Sequence, residues 1–550
     1  MLLQSPIPFI IMIIYIIIVL ILAYQEGFSK KALARKKNQT FEDYMTGGKS
    51  RNALVVLMIT VVTFYSGTTF TGRVGFFFNF GVSGLASVMV CATTGIFMFF
   101  LSEKVWPLAK KYRLSTLSDI MELRYQSRWI KLLISLIIVS FNIIWLITEI
   151  RTLGLAMNLA SGGNVPVKVG SIIAFVIIIV YVVTGGIHSV AKVDTFSAFV
   201  MLGGSAIVLI FIISHFFGGS LPDMFAAANK ASEGIFVLRD TGNYEMTFWF
   251  SDVILGTLVM LIYPSNFMSI CLAKNVKEVK KSSIGTATSG IWLSIYALFG
   301  AAVLGATAIG ISITNPEAGI LELCSIAGSP LMLGIVCTFI LAAALGTLDS
   351  TLIALSGLLS NDILTNLIKI KAKEPCIGAT GDSIEVIEER VTKDAKKEIF
   401  RTRILVFVLG CIGLAFSMTN LPLLGLLINV ATNGMVLIVP AVAAGLFWRK
   451  ATPQGAIAGM IAGEATFIIM YAMGIEYVFG GYFLGIPAII VGAVVLVAVS
   501  LATCEKYYAG KKQMQLVYDD FFERGRVEKY IREEMASPEG SAVLKEAVES

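Results

Sequence analysis

Apolar runs of membrane-crossing length dominate this chain, separated by short polar connections. Crossing about 30 Å of hydrocarbon takes roughly 20 helical residues. Thirteen runs qualify, near 6–24, 53–78, 82–102, 132–157, 167–187, 193–217, 248–271, 284–312, 328–358, 403–420, 423–447, 454–475 and 481–503. The pattern predicts an all-α integral membrane protein of about thirteen transmembrane helices. The first run reads as a retained span rather than a cleavable signal. No basic residue precedes it, it exceeds a signal h-region in length, and Lys30, Lys31, Arg35, Lys36 and Lys37 follow it.

Charge orients the predicted spans. With the N-terminus outside, the inside segments 25–52, 103–131, 188–192, 272–283, 359–403, 448–453 and 504–550 carry 38 of the 43 Lys and Arg residues. The other five are Arg73, Arg151, Lys168, Lys230 and Arg239. Such asymmetry follows the positive-inside rule and predicts a cytoplasmic C-terminus for a multi-pass protein of the cell membrane. Composition agrees: 56% of the 550 residues are hydrophobic and 15% are charged, against about a quarter charged in soluble domains. Seven scattered cysteines suggest neither a disulfide framework nor a metal site, and two histidines argue against zinc or histidine-triad chemistry. No GxxxxGK[ST] loop supports coupling to ATP. The expectation is a non-enzyme without organic cofactor or nucleic-acid partner, whose basic clusters face water or anionic lipid. A helix is expected near 517–535, within the tail.

Polar residues inside the spans carry the candidate chemistry. The second span holds Thr63, Ser66, Gly67, Thr68, Thr69, Thr71 and Gly72 within ten positions. Such a stretch suits a broken helix lining a cavity, or equally a close-packing face of small residues. The seventh span contains Tyr263-Pro264-Ser265-Asn266, which reads as a second interruption or a plain proline kink. The two stand five spans apart, as expected if spans 2–6 and 7–11 form two inverted halves around a transport site. In the ninth span Ala343, Gly346, Thr347 and Ser350 share one helical face, with Asp349 at its edge. Hydroxyls, a carboxylate and free carbonyls suit a hard cation; close packing is the alternative. A carboxylate within a span is costly and tends to be functional.

Several ordered patches carry a family resemblance. They are Phe41-Glu42-Asp43-Tyr44-Met45-Thr46-Gly47-Gly48-Lys49, Phe70-Thr71-Gly72-Arg73-Val74-Gly75, Leu114-Ser115-Thr116-Leu117-Ser118-Asp119 and Thr184-Gly185-Gly186-Ile187-His188-Ser189-Val190 with Val193-Asp194. Leu272-Ala273-Lys274 and Ala342–Ser350 complete the set. Over roughly residues 1–505 the chain resembles the sodium:solute symporter family, which includes bacterial proline, pantothenate, sialic acid and galactose transporters. The resemblance implies a LeuT-type core of two inverted five-helix repeats. The division is then an N-terminal span and basic loop (1–52), the transporter core (53–447), two further spans (448–503) and a cytoplasmic tail (504–550).

The same resemblance implies a sodium site formed by the carbonyls of Val62, Tyr65 and Ala343 and the hydroxyl of Thr347. The family usually has Ser at the position of Gly346, so one ligand is missing here. A second cation site, present in some members, maps to Asp194, Asp349 and Ser350, with Gly346 beside them. Asp349 lies some 21 residues into its predicted span, about 30 Å deep at ~1.5 Å per residue, so Asp194 at the inner start of the sixth span is expected to meet it. The pair would compensate for Gly346 by holding Na+ or sharing a proton. Substrate candidates are Ser66, Thr68, Thr69, Phe70, Ser265 and Asn266. Ser265 and Ser269 depart from family-typical residues, so no known member's substrate transfers.

Arg73 near the outer end would attract a substrate carboxylate; the alternative is that it snorkels to the interface, or that Glu149 pairs with a basic group. The reading is cation-coupled symport of a small polar organic solute, such as an organic acid or amino acid, by a monomer. Sodium is the first choice of coupling ion and H+ the alternative. A transport-like sensor acting through a cytoplasmic partner is the other class.

Overall fold

The computed structural model describes residues 5–37, 39–47, 50–238, 246–372, 376, 395–419, 424–475, 477–478, 480–508 and 515–523. Arg239, residues 373–375 and 377–394 of the 359–403 connection and the tail beyond residue 523 lie outside them, and so does most of the helix expected near 517–535. Gln515–Phe522 forms the part of that helix that is described.

Ten helices among the described residues are long and apolar enough to span a membrane, and two bent helix pairs raise the number to twelve. The expected thirteenth, 167–187, corresponds to the shorter apolar helix Val167–Val183. It meets Gly185–Phe216 at Gly186, whose φ of +60° lies where only glycine is comfortable. A Cβ at Gly186 would stand 2.6 Å from the Tyr44 ring, so this residue also admits the preceding short helix Phe41–Thr46. The sixth span therefore begins earlier than position 193, and Asp194 lies inside it rather than at its start. The expected all-helical chain also contains one small hairpin, pairing Tyr477 with Phe483 and Val478 with Tyr482.

The bundle presents apolar side chains outward. On Ile7–Phe28 the residues Ile10, Ile14, Ile17 and Ile21 are exposed, whereas Met12, Tyr15 and Val19 are buried. β-branched residues are mediocre helix formers in water, but in hydrocarbon every backbone group must be satisfied within its own segment. The ninth span, Pro330–Lys371, is the most enclosed, and its helix includes a π-helical stretch at Leu358–Thr365.

Both expected interruptions are real breaks. The second span divides into Ala53–Phe64 and Gly67–Phe80, bent by 54°, and the seventh into Met246–Ile262 and Pro264–Leu272, bent by 50°. In the seventh, proline restricts the preceding residue, and Tyr263 is extended with ψ 126°. Asn266 Nδ2 then donates to the Met260 carbonyl (2.9 Å), one of the acceptors at the end of the first half.

A buried ionic cluster ties the helix Leu117–Tyr125 to the fourth and ninth spans. Thr116 and Asp119 form a capping box at the start of that helix. Lys131 Nζ lies 2.6 Å from Asp119, 3.1 Å from Glu122 and 3.4 Å from Asp362, and Arg128 pairs with Glu122 at 3.3 Å. Thr116 Oγ1 donates to Asp362 (2.8 Å).

Candidate functional site

Gly67 sets the geometry of the broken second span. A Cβ there would approach Ala344 Cβ to 2.5 Å and Thr152 Cγ2 to 2.8 Å, so only glycine lets the chain pass between the fourth and ninth spans. Tyr65 leaves the helix with φ −99° and ψ 65°, and a 3₁₀ turn covers Gly67–Thr69. The break exposes carbonyls at the end of one half and amides at the start of the other. Glu149 of the fourth span takes the amide side. Its Oε2 accepts from Gly67 N–H (2.9 Å) and its Oε1 from Thr68 Oγ1 (3.1 Å), while Thr68 and Ser66 hydroxyls lie 2.6 Å apart.

A cavity opens beside this turn, with about 600 Å³ of unfilled space including its open mouth. Ser66, Thr68 and Thr69 line it, together with Trp145 of the fourth span. Arg73 and Asp252 form an ion pair at 3.3 Å on its wall. Phe70 is buried against Phe339 and Phe299 instead and does not line this cavity. Ser265 and Asn266 are absent from the lining too; Ser265 Oγ and Asn266 Oδ1 are buried without a hydrogen-bond partner among the described residues. Three of the six substrate candidates are therefore gathered at one cavity, and three are not.

The carbonyl side of the break faces the ninth span. Thr347 Oγ1 lies 2.9 Å from the Val62 carbonyl and 3.2 Å from that of Ala343, bridging the two spans. Tyr65 is adjacent in the chain, and its phenol donates to the Ser289 carbonyl. Gly346 abuts this group. A Cβ on it would lie 2.0 Å from Val62 Cγ1 and 3.0 Å from Asp194 Oδ1. The missing side chain thus brings Asp194 against the Val62 segment, so the two candidate cation sites share a wall.

Asp194 and Asp349 interact directly, both fully buried. Tyr181 donates to Asp349 Oδ2 (2.6 Å), and the Ser350 amide lies 2.5 Å from Oδ1. Neither oxygen of Asp194 has a donor among the described residues. Ser350 Oγ turns back to the Gly346 carbonyl (2.8 Å). Tyr15 of the first span, bonded to Ser197 at 2.7 Å, completes the surroundings.

Two expectations about charge are corrected. Among the described residues Glu149 pairs with no base: Arg151 donates to the Thr419 carbonyl (3.2 Å), and Glu149 accepts at the broken helix instead. Arg73 is neither free for a substrate nor merely snorkelling, because Asp252 engages it. Asp252, Trp145 and Tyr181 were not singled out from the sequence. Asp252 carried a usable signal, being a carboxylate within a span, whereas the two aromatics were indistinguishable from ordinary core.

The profile of the sodium:solute symporter family matches residues 44–463, most of the chain. The chain belongs to the sodium:solute symporter family. It is similar to the high-affinity proline transporter PutP of Bacillus subtilis, with 24% identity over 80% of this chain and 89% of that one. The sodium/pantothenate symporter of Escherichia coli is 23% identical over 82% of this chain and 89% of its own. Among solved structures, a substrate-bound, outward-open Na+-coupled sialic acid symporter covers 91% of this chain and 98% of its own, with a TM-score of 0.70 at 17% identity. The protein is thus a multi-pass membrane transporter of the sodium:solute symporter family, not an enzyme.

Proposed function

We propose that this sodium:solute symporter family member couples Na+ entry to uptake of a small polar organic solute, such as an organic acid or amino acid. Its core comprises spans 2–6 and 7–11 as two inverted halves, with the N-terminus outside and the C-terminus inside. The first cation site uses the Val62, Tyr65 and Ala343 carbonyls with Thr347. The second uses Asp194, Asp349 and Ser350. The carrying observation is the Thr347 hydroxyl between the Val62 and Ala343 carbonyls, beside a carboxyl pair with no paired base among the described residues. Sodium would take the oxygens that Thr347 now bridges, drawing the broken span to the ninth. Ser66, Thr68 and Thr69 would meet the solute.

One feature favours a second reading, H+ coupling: two adjacent buried carboxyls can share a proton. Purified protein in liposomes, given labelled solutes under imposed Na+ or pH gradients, distinguishes the two. Accumulation driven by Na+ alone, with half-saturation weakened about 2- to 12-fold by Thr347→Val (~0.5–1.5 kcal/mol for one neutral hydrogen bond), is the expected result. Accumulation driven only by the pH gradient replaces Na+ with H+. Accumulation under neither gradient removes the symport reading.

A further inference from the structure

The features that would ordinarily receive a substrate carboxylate are occupied by the protein's own carboxylates. A helix start with free amides attracts anions, but at the second half of the broken span Glu149 accepts from the Gly67 amide. An arginine on the wall would grip an organic acid, but Arg73 is already paired with Asp252. Arg73 and Asp252 offset one another, so the carboxyl of Glu149, with both oxygens accepting from the broken span, is the remaining acidic group beside the cavity.

The hydroxyls carry this polarity to the cavity surface. Thr68 spends its proton on Glu149 (3.1 Å). In the 2.6 Å contact between Ser66 and Thr68, Ser66 is then the donor. Both hydroxyls are left with lone pairs, so that wall accepts and does not donate. Trp145 lines the same cavity; its indole N–H, buried and unpartnered among the described residues, is a single neutral donor for a solute oxygen, and an indole ring can seat a cation.

We propose that the carried solute bears an ammonium group, seated between the Ser66–Thr68 wall and the Trp145 ring, and that Glu149 sets the preference for it over amine-free acids. Glu149 is here a positioning and specificity-determining residue that acts through Thr68. The inference rests on the symport reading and narrows its substrate to solutes that carry an ammonium group, a simple amine or an amino acid, in preference to those that carry a carboxylate alone.

The test is Na+-driven uptake into proteoliposomes of matched pairs, amino acids against their hydroxy-acid analogues and monoamines against the corresponding alcohols. Protein tryptophan fluorescence is recorded on Na+ addition. The amine member of at least one pair is expected to accumulate at least tenfold faster than its analogue. Glu149→Gln is expected to cut that ratio at least tenfold while the Na+-induced fluorescence change persists. Thr68→Val, which breaks the relay without removing the charge, is expected to cut it by a smaller factor. A ratio unaltered in Glu149→Gln, faster uptake of amine-free acids, or no uptake of any amine overturns the proposal. If fluorescence ignores Na+ and nothing accumulates, the symport reading falls as well. If Na+ acts and only amine-free solutes move, the symport reading stands and this inference alone falls.

Discussion

Two buried acidic groups lie along the ninth span and are treated in opposite ways. Near its end, Asp362 joins Asp119 and Glu122 around Lys131 and Arg128, three carboxylates with two bases held within 3.4 Å. Farther back, Asp349 meets Asp194 with a phenol and an amide for company and no Lys or Arg paired to it among the described residues. Burying a charge is tolerable only when it is paired or neutralised. The first cluster carries its cation covalently, as lysine. The second lacks one among the described residues, as the proposed exchange of a cation with solution requires. Buried carboxylates in a span therefore divide by their partners, not by their burial.

Removing the built-in cation gives the sharpest contrast. Lys131→Met leaves three carboxylates around a methyl group and is expected to cost about 3–5 kcal/mol. A large fall in the thermal unfolding midpoint in detergent would register it, with the Na+ requirement of the remaining protein unchanged. An unaltered midpoint would erase the distinction between the two groups.

Asp194→Asn should act the other way round. Losing one charge-assisted contact of about 1.5–3 kcal/mol weakens cation half-saturation roughly 10- to 150-fold. The unfolding midpoint holds or rises, because an unpaired buried carboxylate has gone. Unchanged cation dependence of uptake would remove Asp194 from the second site.

Gly346→Ala tests the wall shared by the two candidate sites. The new methyl meets Val62 Cγ1 at 2.0 Å before any relaxation, and overpacking of this kind costs about 1–3 kcal/mol. Both the unfolding midpoint and the apparent cation affinity are expected to fall together. A drop in stability alone would separate the sites.

The smallest effect is a pH dependence. Burial pushes the Asp119 carboxyl up, but Lys131 and the Ser115 and Thr116 amides outweigh it and hold it below its usual 3.8. A depressed carboxylate stabilises the fold above its ordinary value and loses that contribution as pH falls through the folded one. The stability difference between wild type and Asp119→Asn is thus expected to stay constant from about pH 8 to 5 and to shrink below about pH 4. A difference that shrinks already between pH 8 and 5 would contradict the assignment.

Hydropathy and the K/R asymmetry were enough to read the membrane class, because lipid imposes length and polarity limits on every span. Both breaks were legible from local chemistry: Pro264 has no amide to donate, and Gly67 sits in a run of hydroxyl residues. Asp194 and Asp349 come together as expected, although the depth argument put Asp194 at the start of its span and the structure puts it inside. The start of the sixth span was misplaced because the segment 188–192, read as a polar connection, is helical, and the chain turns at Gly186 instead. Side-chain pairing was the least legible. Arg73 with Asp252, and Glu149 with Gly67, join residues 179 and 82 positions apart, and nothing local to either member names its partner.

The phenol of Tyr181 has one further consequence. Its hydroxyl donates to Asp349 Oδ2, with 2.6 Å between the two oxygens, so any cation that engages this oxygen must compete with it. The ring is therefore an intrinsic vibrational probe. Infrared difference spectra recorded on salt addition, with Tyr181→Phe as the blank, would follow occupancy of the acid pair in the unlabelled protein and assign its selectivity among monovalent ions before any transported solute is identified.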